Sequence, residues 1–498
     1  MELLVLNTLF DTVAVIDVFE SFNWTDRYNE AGDFEVIALA TTQLISVIKT
    51  DYYLYFQKSS HLMIIEDIEG LTDLEDGDRI KITGRSLESI LDRRIVLDQT
   101  TFAENTSFQT AVLKILNDSL GSNAPEWRVI PNFIISASSN SAITSLKIES
   151  GAQYLGDNVY DVIVKLCKLK KVGFKVVLNS SNKFDFSLYI GTDHSSDNQA
   201  SVPVIFSPFF ENITNTKYYK SVKTLKTINY VTGEDLGDGV YKSYGDKFKV
   251  THIENAMRVT VGTGKAWFDN VEYTKESATT VNINAADSQH PRIDTIAINI
   301  NKTNNTGSIV YIPGDPAATP KPKALSNTSS LSQYPIAHIT VQNGVTKITS
   351  GNIKNCVGTD DCPYGAAKRR VVVTRGGNKY YGLTRREMYT DGSDISSSDD
   401  DGKLMSGYPG SYDKLLKQRG REEIAKDENS IAETFDGEVD YQNTFIYGSD
   451  YKLGDIVEVD DKYGHETKSR ISEVLFSYDE EGFSINPSFT VLDEEEID

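Results

Sequence analysis

The stretch "KTINYVTGEDLGDG", from Lys226 to Gly239, begins a β-hairpin that does not close. Its first half alternates in the manner of a strand, and the glycines and acidic residues that follow supply a turn. The best returning strand, "KRRVVVTRGG", starts only at Lys368. The two strands of this hairpin are therefore separated by a long segment of different character.

The composition indicates a large folded protein rich in strands. The chain has 498 residues, of which 39% are hydrophobic, and it contains 26 Tyr and 21 Phe. This length predicts three or more domains, and the aromatic content favours strands over helices. The net charge of −22 argues against a surface that binds the phosphate backbone of nucleic acid. It does not exclude a protein past which nucleic acid slides.

The amino-terminal residues and the cysteines bear on the compartment. The start, "MELLVLNTLF", has no basic region of the kind that opens a signal peptide, and no apolar run approaches a membrane span. We therefore expect a soluble protein. Cys167, Cys356 and Cys362 are too few for a disulfide framework. Cys356 and Cys362 bracket "VGTDD" and could pair or bind a metal, but free thiols in a reduced compartment are the favoured interpretation.

The patterns along the chain predict alternating β and α+β regions. The first ninety-odd residues have the short strands and Gly-Asp turns of a small barrel. Then "SFQTAVLKILNDSLG", capped by Thr106 or Ser107, and "NVYDVIVKLCKLKK" have helical spacing. A further helix is predicted in "GSYDKLLKQRGREEIAKDENSIAETF". The stretches "GDRIKI" and "GDIVEV", near the two ends of the chain, are similar: each is a Gly-Asp turn followed by an alternating strand.

The sequence contains few of the patterns that are typical of catalytic or metal-binding sites. The six histidines are scattered without zinc spacing, and there is no Gly-x-Ser-x-Gly or Walker-type loop. "VGTGKAW" is interpreted as a glycine turn. Asp399, Asp400 and Asp401 lack the alternate spacing of calcium ligands and are interpreted as a solvated loop. The sequence thus predicts no enzyme activity, no cofactor, no metal site and no catalytic residue.

Five stretches in order resemble the tail-hub, or baseplate-hub, proteins of phages that infect Gram-positive bacteria. They are "WTDRYNEAGDFEV", "ITGRSLESILDRRIV", "GLTRREMYTDGSDI", "LLKQRGREEIA" and "YKLGDIVEV...SRISEVLFSYDEEGFSINPSF". In such proteins the equivalents of "NYVTGE" and "RRVVVTRGG" are close together, so the resemblance implies an insertion of roughly 130 residues at the hairpin tip, where closure entropy grows only slowly with length. The insert, through "VTVGTGKAWFDN", "RIDTIAI" and "YPIAHITV", resembles a β-module of phage baseplate and receptor-binding proteins.

The resemblance implies a mainly β, multidomain fold with α+β parts. It comprises two small β-barrels, an α/β domain, a short helical segment and an inserted β-sandwich-like domain. We assign 1–97 to the first barrel, 98–205 to the α+β domain and 236–364 to the insert. Residues 206–235, 365–390 and 436–498 form the second, discontinuous barrel, and 391–435 form an acidic loop and helical segment.

The implied function is that of a structural hub. A homotrimer at the distal tail tip or baseplate of the virion, assembled in the host cytoplasm, joins the six-fold tail tube to the three-fold tip and forms part of the DNA channel. Its implied partners are other copies of itself, the distal tube ring, the tape-measure protein and tip or receptor-binding proteins, while DNA passes without specific binding. Three alternatives stay open: an adhesin that binds host-wall glycan through the insert, a wall-degrading enzyme, and the hub of a phage-tail-like bacteriocin.

Five residues are candidate interaction sites. Arg85, Arg93 and Arg94 follow a barrel strand and are expected to form ion pairs or an interface. Trp267 and Phe268 in the insert could stack on sugar rings, although strand-core positions are the favoured interpretation. Within the first motif, Arg27 is expected to pair with Glu35 across a hairpin.

Overall fold

A computed structural model describes residues 2–72, 77–234, 237–269, 271–365, 369–398, 405–406, 410–439, 444–479, 482–492 and 497. The chain divides into two compact units. The first unit comprises residues 1–231, 371–390 and 414–498, and the second comprises 232–370 and 391–413. The fold is mainly β with α+β parts, as predicted. The predicted loop at Asp399–Asp401 lies outside the described residues.

One hydrogen-bonded sheet of thirteen strands dominates the first unit. It contains strands from the first ninety residues and strands from the last seventy. Its members in chain order are Leu3–Leu6, Thr12–Ile16, Phe19–Arg27, Asp33–Leu39, Tyr53–Phe56, Leu62–Leu71, Arg79–Ser86, Ile205–Phe206, Ile213–Ser221, Ala432–Val439, Ile456–Asp460, Glu466–Asp479 and Gly482–Val491.

In the described part of this sheet, an antiparallel pair of strands joins the two ends of the chain. Phe19–Arg27 lies beside Glu466–Asp479, with Trp24 opposite Phe476. The main path of the sheet ends at Thr12–Ile16 on one side and at Ile213–Ser221 on the other. Each of these two strands has one strand partner among the described residues. The sheet is therefore open at both of these edges.

The core of the sheet is shared by strands from both ends of the chain. One cluster of buried side chains runs from Leu3 to Phe489, with a dense aromatic group at its centre. The rings of Phe22 and Phe56 meet edge to face at 5.0 Å, and Phe56 contacts Phe476 at 5.6 Å. The two sets of strands thus bury apolar surface against each other, which provides the main stabilisation. The division of these strands into two barrels stays a prediction.

An α+β region follows the first seven strands. Its helices are Phe108–Ser119 and Val159–Lys170, with a short helix at Ser141–Thr144. Ser107 caps the first by accepting a hydrogen bond from the backbone of Thr110, as predicted. The stripe of Val159, Val162, Ile163 and Leu166 is fully buried, as its spacing predicts.

The strands of this region form three small sheets. The largest places Phe184–Tyr189 between Phe133–Ser136 and Gly173–Leu178. The other two sheets are pairs of short strands: Thr100–Phe102 with Ala152–Tyr154, and Thr106–Ser107 with Lys147–Ile148. These strands and the two long helices share a second buried cluster that includes Phe108, Phe174 and Phe186.

Tyr28 ties the large sheet to the α+β region. Its hydroxyl donates to the carbonyl of Lys171 at 3.2 Å, and its ring is 5.2 Å from that of Tyr189. A Cβ atom at Gly173 or Gly454 would lie within 2.5 Å of the Tyr28 ring, and Gly454 also has a φ of +91°. Both positions therefore require glycine. The "YKLGD" motif that ends at Asp455 provides one of the two.

The interrupted hairpin closes as expected. Ile228–Gly233 is the central strand of a three-stranded sheet and pairs with Arg370–Thr374 on one side and Glu387–Gly392 on the other. The helix Gly410–Ile424 packs against this sheet at Gly420. A Cβ atom at Gly420 would clash with the methyl groups of Val231 and Val373, so the close approach requires glycine. The six-residue helix Thr42–Val47 completes the helices of the first unit that the structure describes.

Short 3₁₀ helices lie in the loops of both units. They are Leu87–Arg93, Glu126–Arg128, Pro208–Phe210, Ser350–Asn352, Gly377–Lys379, Gly382–Thr384 and Asp427–Asn429.

The second unit consists of three small antiparallel sheets around its own core. One joins Gly239–Val240, Gly264–Phe268 and Val271–Lys275, and another joins Val250–His252, Arg258–Val261 and Thr279–Asn282. The third contains Thr306–Ile312, Arg292–Asn301, Leu331–Val341 and Ile353–Asn355 in that order. All buried members of this core lie between Val240 and Cys362.

Among the described helices, none is both long and apolar enough to cross a lipid bilayer.

Candidate interaction sites

The three predicted arginines form a chain of local contacts beside the strand Arg79–Ser86. Arg85 pairs with Glu66 at 2.8 Å and with Asp92 at 3.1 Å, and the hydrogen bond to Glu66 raises the pKa of Arg85. Arg93 pairs with Asp51 at 2.9 Å. Arg94 donates to the backbone carbonyl of Arg128 at 3.0 Å. Arg85 and Arg93 thus have carboxylate partners within the chain, whereas burial and the charges of Arg128 and Arg93 lower the pKa of Arg94. A role of these residues in an interface stays a prediction.

The two predicted aromatic residues differ in exposure. Phe268 is 0% exposed, and its ring stacks on that of Tyr334 at a centroid distance of 3.8 Å. It is a core residue and cannot offer its face to a sugar. Trp267 alternates with it on the strand, is half-buried and lies opposite Glu272. Trp267 alone keeps a surface for a ligand.

The expected pair between Arg27 and Glu35 does not form. Arg27 instead contacts Asp33 at 2.7 Å and Glu473 at 2.8 Å. Glu35 lies opposite Asn23 in the ladder and pairs with Lys81 at 2.6 Å. The expectation was wrong because the antiparallel register places Glu35 beyond the reach of Arg27. The motif residue Arg27 connects the two ends of the chain.

A buried ionic cluster that the sequence did not reveal lies in the first unit. His61 Nδ1 is 3.1 Å from Glu88 Oε1, and that oxygen also accepts the backbone N–H of Val176 at 2.8 Å. Asp26 accepts hydrogen bonds from the hydroxyl of Ser59 and from the indole of Trp24.

Burial and charge act in opposite directions on the groups of this cluster. Burial lowers the pKa of His61, but the carboxylates of Asp26 and Glu88 outweigh it and raise that pKa to about 9. Burial raises the pKa of Asp26, whereas the interaction with His61 leaves the pKa of Glu88 below its usual value despite burial. The imidazolium therefore carries its charge at neutral pH inside the protein. The cluster links three segments that are distant in sequence, and its role is therefore structural.

The second unit has a buried ionic network of a different kind. The Arg292 guanidinium contacts Asp294 at 2.9 Å and donates to the carbonyls of Asn284 and Ala285. The hydroxyl of Tyr311 donates to Asp294 at 2.7 Å. Arg292 and Asp294 are alternate residues of one strand and share a face. The motif "RIDTIAI" is thus explained by packing.

The three cysteines are free and buried. Burial raises the pKa of Cys362 to about 12 and also raises that of Cys356. Neither thiol is therefore ionised at neutral pH, so neither has the thiolate character of a reactive cysteine. In the described part of the chain, no group of three or more His, Cys, Asp or Glu residues is arranged to hold a metal ion.

A cavity of about 870 Å³ lies in the first unit. Several of its cationic residues are paired: Arg27 with Glu473, and Lys168 with both Glu30 and Asp427. Arg470 lies against the Tyr28 ring at 4.7 Å and donates to the carbonyl of Gly454. These contacts hold the segments around the cavity together. They do not form a nucleophile with its base.

The first edge strand, Thr12–Ile16, carries acidic and apolar residues at its surface. Asp11 and Asp17 flank it and are exposed. Within the residues that the structure describes, neither forms a salt bridge. Val15 is 48% exposed and Val18 is 65% exposed. We call this surface the acidic edge.

The second edge strand, Ile213–Ser221, carries basic and aromatic residues. Lys217 and Lys223 are exposed and, over the described ranges, have no carboxylate within salt-bridge distance. Tyr219 is 47% exposed, and the neighbouring Phe209 and Phe210 are 73% and 61% exposed. We call this surface the basic edge. Exposed apolar groups beside an unpaired strand are typical of interaction surfaces.

Comparisons with solved structures find phage tail proteins. The 43 kDa tail protein of prophage MuSo2 from Shewanella oneidensis is 9% identical with a TM-score of 0.45, covering 99% of this chain and 98% of that chain. A tail protein from Neisseria meningitidis MC58 gives 9% and 0.42, covering 98% and 96%. Prophage tail protein gp18 from Listeria monocytogenes EGD-e gives 9% and 0.39, covering 99% and 95%.

No curated protein matches the sequence significantly. A family model described as "Siphovirus ReqiPepy6 Gp37-like protein" matches residues 2–489, which is nearly the whole chain. The resemblance to phage tail proteins that the sequence motifs indicated is thereby confirmed, and the chain belongs to this siphovirus tail protein family.

Proposed function

We propose that this structural tail protein is a hub subunit at the distal tip of the phage tail. In this proposal three copies form a ring that joins the tail tube to the tip and surrounds part of the DNA channel. The observation that carries the proposal is the open thirteen-stranded sheet, whose two free edges differ in charge. Unlike surfaces on one subunit favour head-to-tail contacts, and such contacts form a ring when the rotation between neighbouring copies closes.

The ionisable groups of the chain support a non-enzymatic role. The clusters around His61 and Asp294 are buried and engaged in holding strands together. The net charge of −22 suits a ring past which DNA moves without being retained, because a polyanion is repelled by carboxylates. The proposed partners are further copies of the chain, the distal tube ring, the tape-measure protein and tip proteins.

The segment 236–364, which makes up most of the second unit, is proposed to be an insertion with a peripheral role. Its core is complete between Val240 and Cys362, and the strands Ile228–Gly233 and Arg370–Thr374 pair where the chain enters and leaves it. A domain with its own core can be carried at a hairpin tip without disturbing its host. We propose that 236–364 contacts a neighbouring tail protein.

Mass measurement and tail imaging test the hub proposal. Light scattering of the full chain, alone and mixed with the neighbouring tail ring protein, is expected to give three times the mass of one chain. Gold-labelled antibody against the chain is expected to mark the distal end of purified tails. A monomer under both conditions, or label along the tube, would contradict the proposal.

A further inference from the structure

We propose that the acidic edge of one copy pairs with the basic edge of the next copy as antiparallel strands, which continues the sheet from subunit to subunit. This inference rests on the proposed function, because it names the surfaces that join copies in the ring. The occupant of each edge is therefore a second copy of this chain, bound through the opposite edge.

The spacing of charges on the two edges matches. Asp11 and Asp17 flank the first edge strand, and the separation between them along the chain equals that between Lys217 and Lys223. An antiparallel register places Asp17, which directly follows the first edge strand, opposite Lys217. Asp11 lies beyond the β-bulge at Val13, and Lys223 lies beyond the strand end at Ser221, so the members of this second pair are expected only to lie near each other. The register is thus fixed by the pair of Asp17 and Lys217.

The same register matches the apolar residues. It places Val15 opposite Tyr219, and the two side chains are exposed to nearly the same extent, 48% and 47%. The next position places Ile16 opposite Tyr218, and both of these side chains pack on the core of the sheet. Residues that point outward therefore meet outward residues, and inward residues meet inward residues, as one continuous sheet requires.

The flanking residues add apolar area and selectivity. Val18 lies beside the acidic edge, while Phe209 and Phe210 lie beside the basic edge. Lysines on an edge strand oppose pairing with most strands. Lys217 accepts a partner that brings a carboxylate to the position opposite it, and Asp17 of the acidic edge does so. Each edge repels a second copy of itself, so the contact is head to tail.

Cysteine cross-linking tests the register. The full chain with both Val15→Cys and Tyr219→Cys is incubated with oxidised glutathione, and covalent species are separated by mass under denaturing conditions. We expect linked dimers and trimers, because directly opposed Cβ atoms lie within about 5.5 Å. The native thiols are buried and do not compete. The matched control pairs Val15→Cys with Thr214→Cys, an exposed position further along the same strand, and should give no linked species.

Charge reversal tests the same contact independently. Asp17→Lys alone and Lys217→Asp alone should each raise the concentration for half-assembly by at least about tenfold, because like charges then meet. The two substitutions in one chain should restore assembly, since every contact then has its charges exchanged. Asp315→Lys, at an exposed site in the second unit, is the control and should change nothing.

The outcomes separate this inference from the hub proposal. If the wild-type chain is trimeric but neither cross-linking nor charge reversal follows the expected pattern, the paired edges are refuted and the trimer stands. If the wild-type chain stays monomeric with and without its ring partner, the trimer and the paired edges are both refuted. Cross-linking and restored assembly together establish the contact.

Discussion

The two units hold their charged groups in the core by different means. In the first unit, Asp26, His61 and Glu88 come from three separate segments, and the cation among them is a histidine. In the second unit, Arg292 and Asp294 are alternate residues of one strand, and the cation is an arginine. The first arrangement depends on the whole fold and on pH. The second depends on a single strand and keeps its charge at every pH at which proteins fold.

Removing 236–364, which makes up most of the second unit, should have the largest effect on unfolding. The full chain is expected to show two transitions in calorimetry, one for each unit. Replacement of 236–364 by Gly-Asn-Gly should abolish one transition and leave the other at its original temperature, because residues 226–232 and 369–375 would form the hairpin directly. The control carries the same linker inserted beside Gly344, an exposed turn with a φ of +68°, and should keep both transitions. An aggregated deletion variant would contradict the insertion.

Breaking the arginine network should destabilise the second unit alone. Asp294→Leu leaves the Arg292 guanidinium buried without its carboxylate, and it also removes the acceptor for Tyr311. We expect a loss of about 3–5 kcal/mol in the free energy of unfolding of the second unit. Urea titration followed by limited proteolysis of each unit measures it. Asp315→Leu, which removes an exposed ion pair with Lys323, should cost less than about 0.5 kcal/mol. Equal losses for both variants would refute the structural role of the network.

The histidine cluster should make the stability of the first unit depend on pH. The pKa of His61 is about 9 in the folded protein against 6.5 for a free side chain, so the folded state binds the proton more tightly. Its stabilisation is complete below pH 6.5 and is lost as pH rises through 9, with a total of about 3 kcal/mol. Asp26 and Glu88 raise this pKa, and Lys175 opposes them. Urea midpoints of the first unit from pH 6.5 to 10 measure the loss.

Two histidine variants sharpen this result. His61→Phe should be less stable at pH 7 but should lose the decline above pH 7. His338 in the second unit provides the opposite case, because burial lowers its pKa. The second unit should therefore gain a little stability as pH rises towards 6.5, and His338→Gln should remove that gain. A decline above pH 7 that persists in His61→Phe would show that another group is responsible.

Local signals in the sequence predicted local structure well. Ser107 caps its helix, and the stripe from Val159 to Leu166 is buried. These features depend on residues within one turn or one strand of each other, so their spacing is sufficient. The pairing of the interrupted hairpin was also predicted, because an alternating strand followed by a turn requires a returning strand and "KRRVVVTRGG" supplies one.

Contacts between distant segments were not predictable. Arg27 reaches Glu473 rather than Glu35, and nothing near Arg27 in sequence indicates a partner so far along the chain. The ion pair between His61 and Glu88 could not be predicted from the sequence, because a buried ion pair between separate segments produces no periodic pattern. The acidic and basic edges could be identified only from the strand order, which shows the strands that have one strand neighbour among the described residues.

The pairing of Phe19–Arg27 with Glu466–Asp479 has a consequence for synthesis of the protein. The ribosome releases the first strand long before its partner, so Phe22 and Trp24 lack one side of their final packing while more than four hundred further residues are translated. Contacts of such high sequence separation form slowly. Translation that stops before Glu466 therefore leaves an aromatic strand without its neighbour, and such fragments are candidates for chaperone binding and proteolysis in the infected cell.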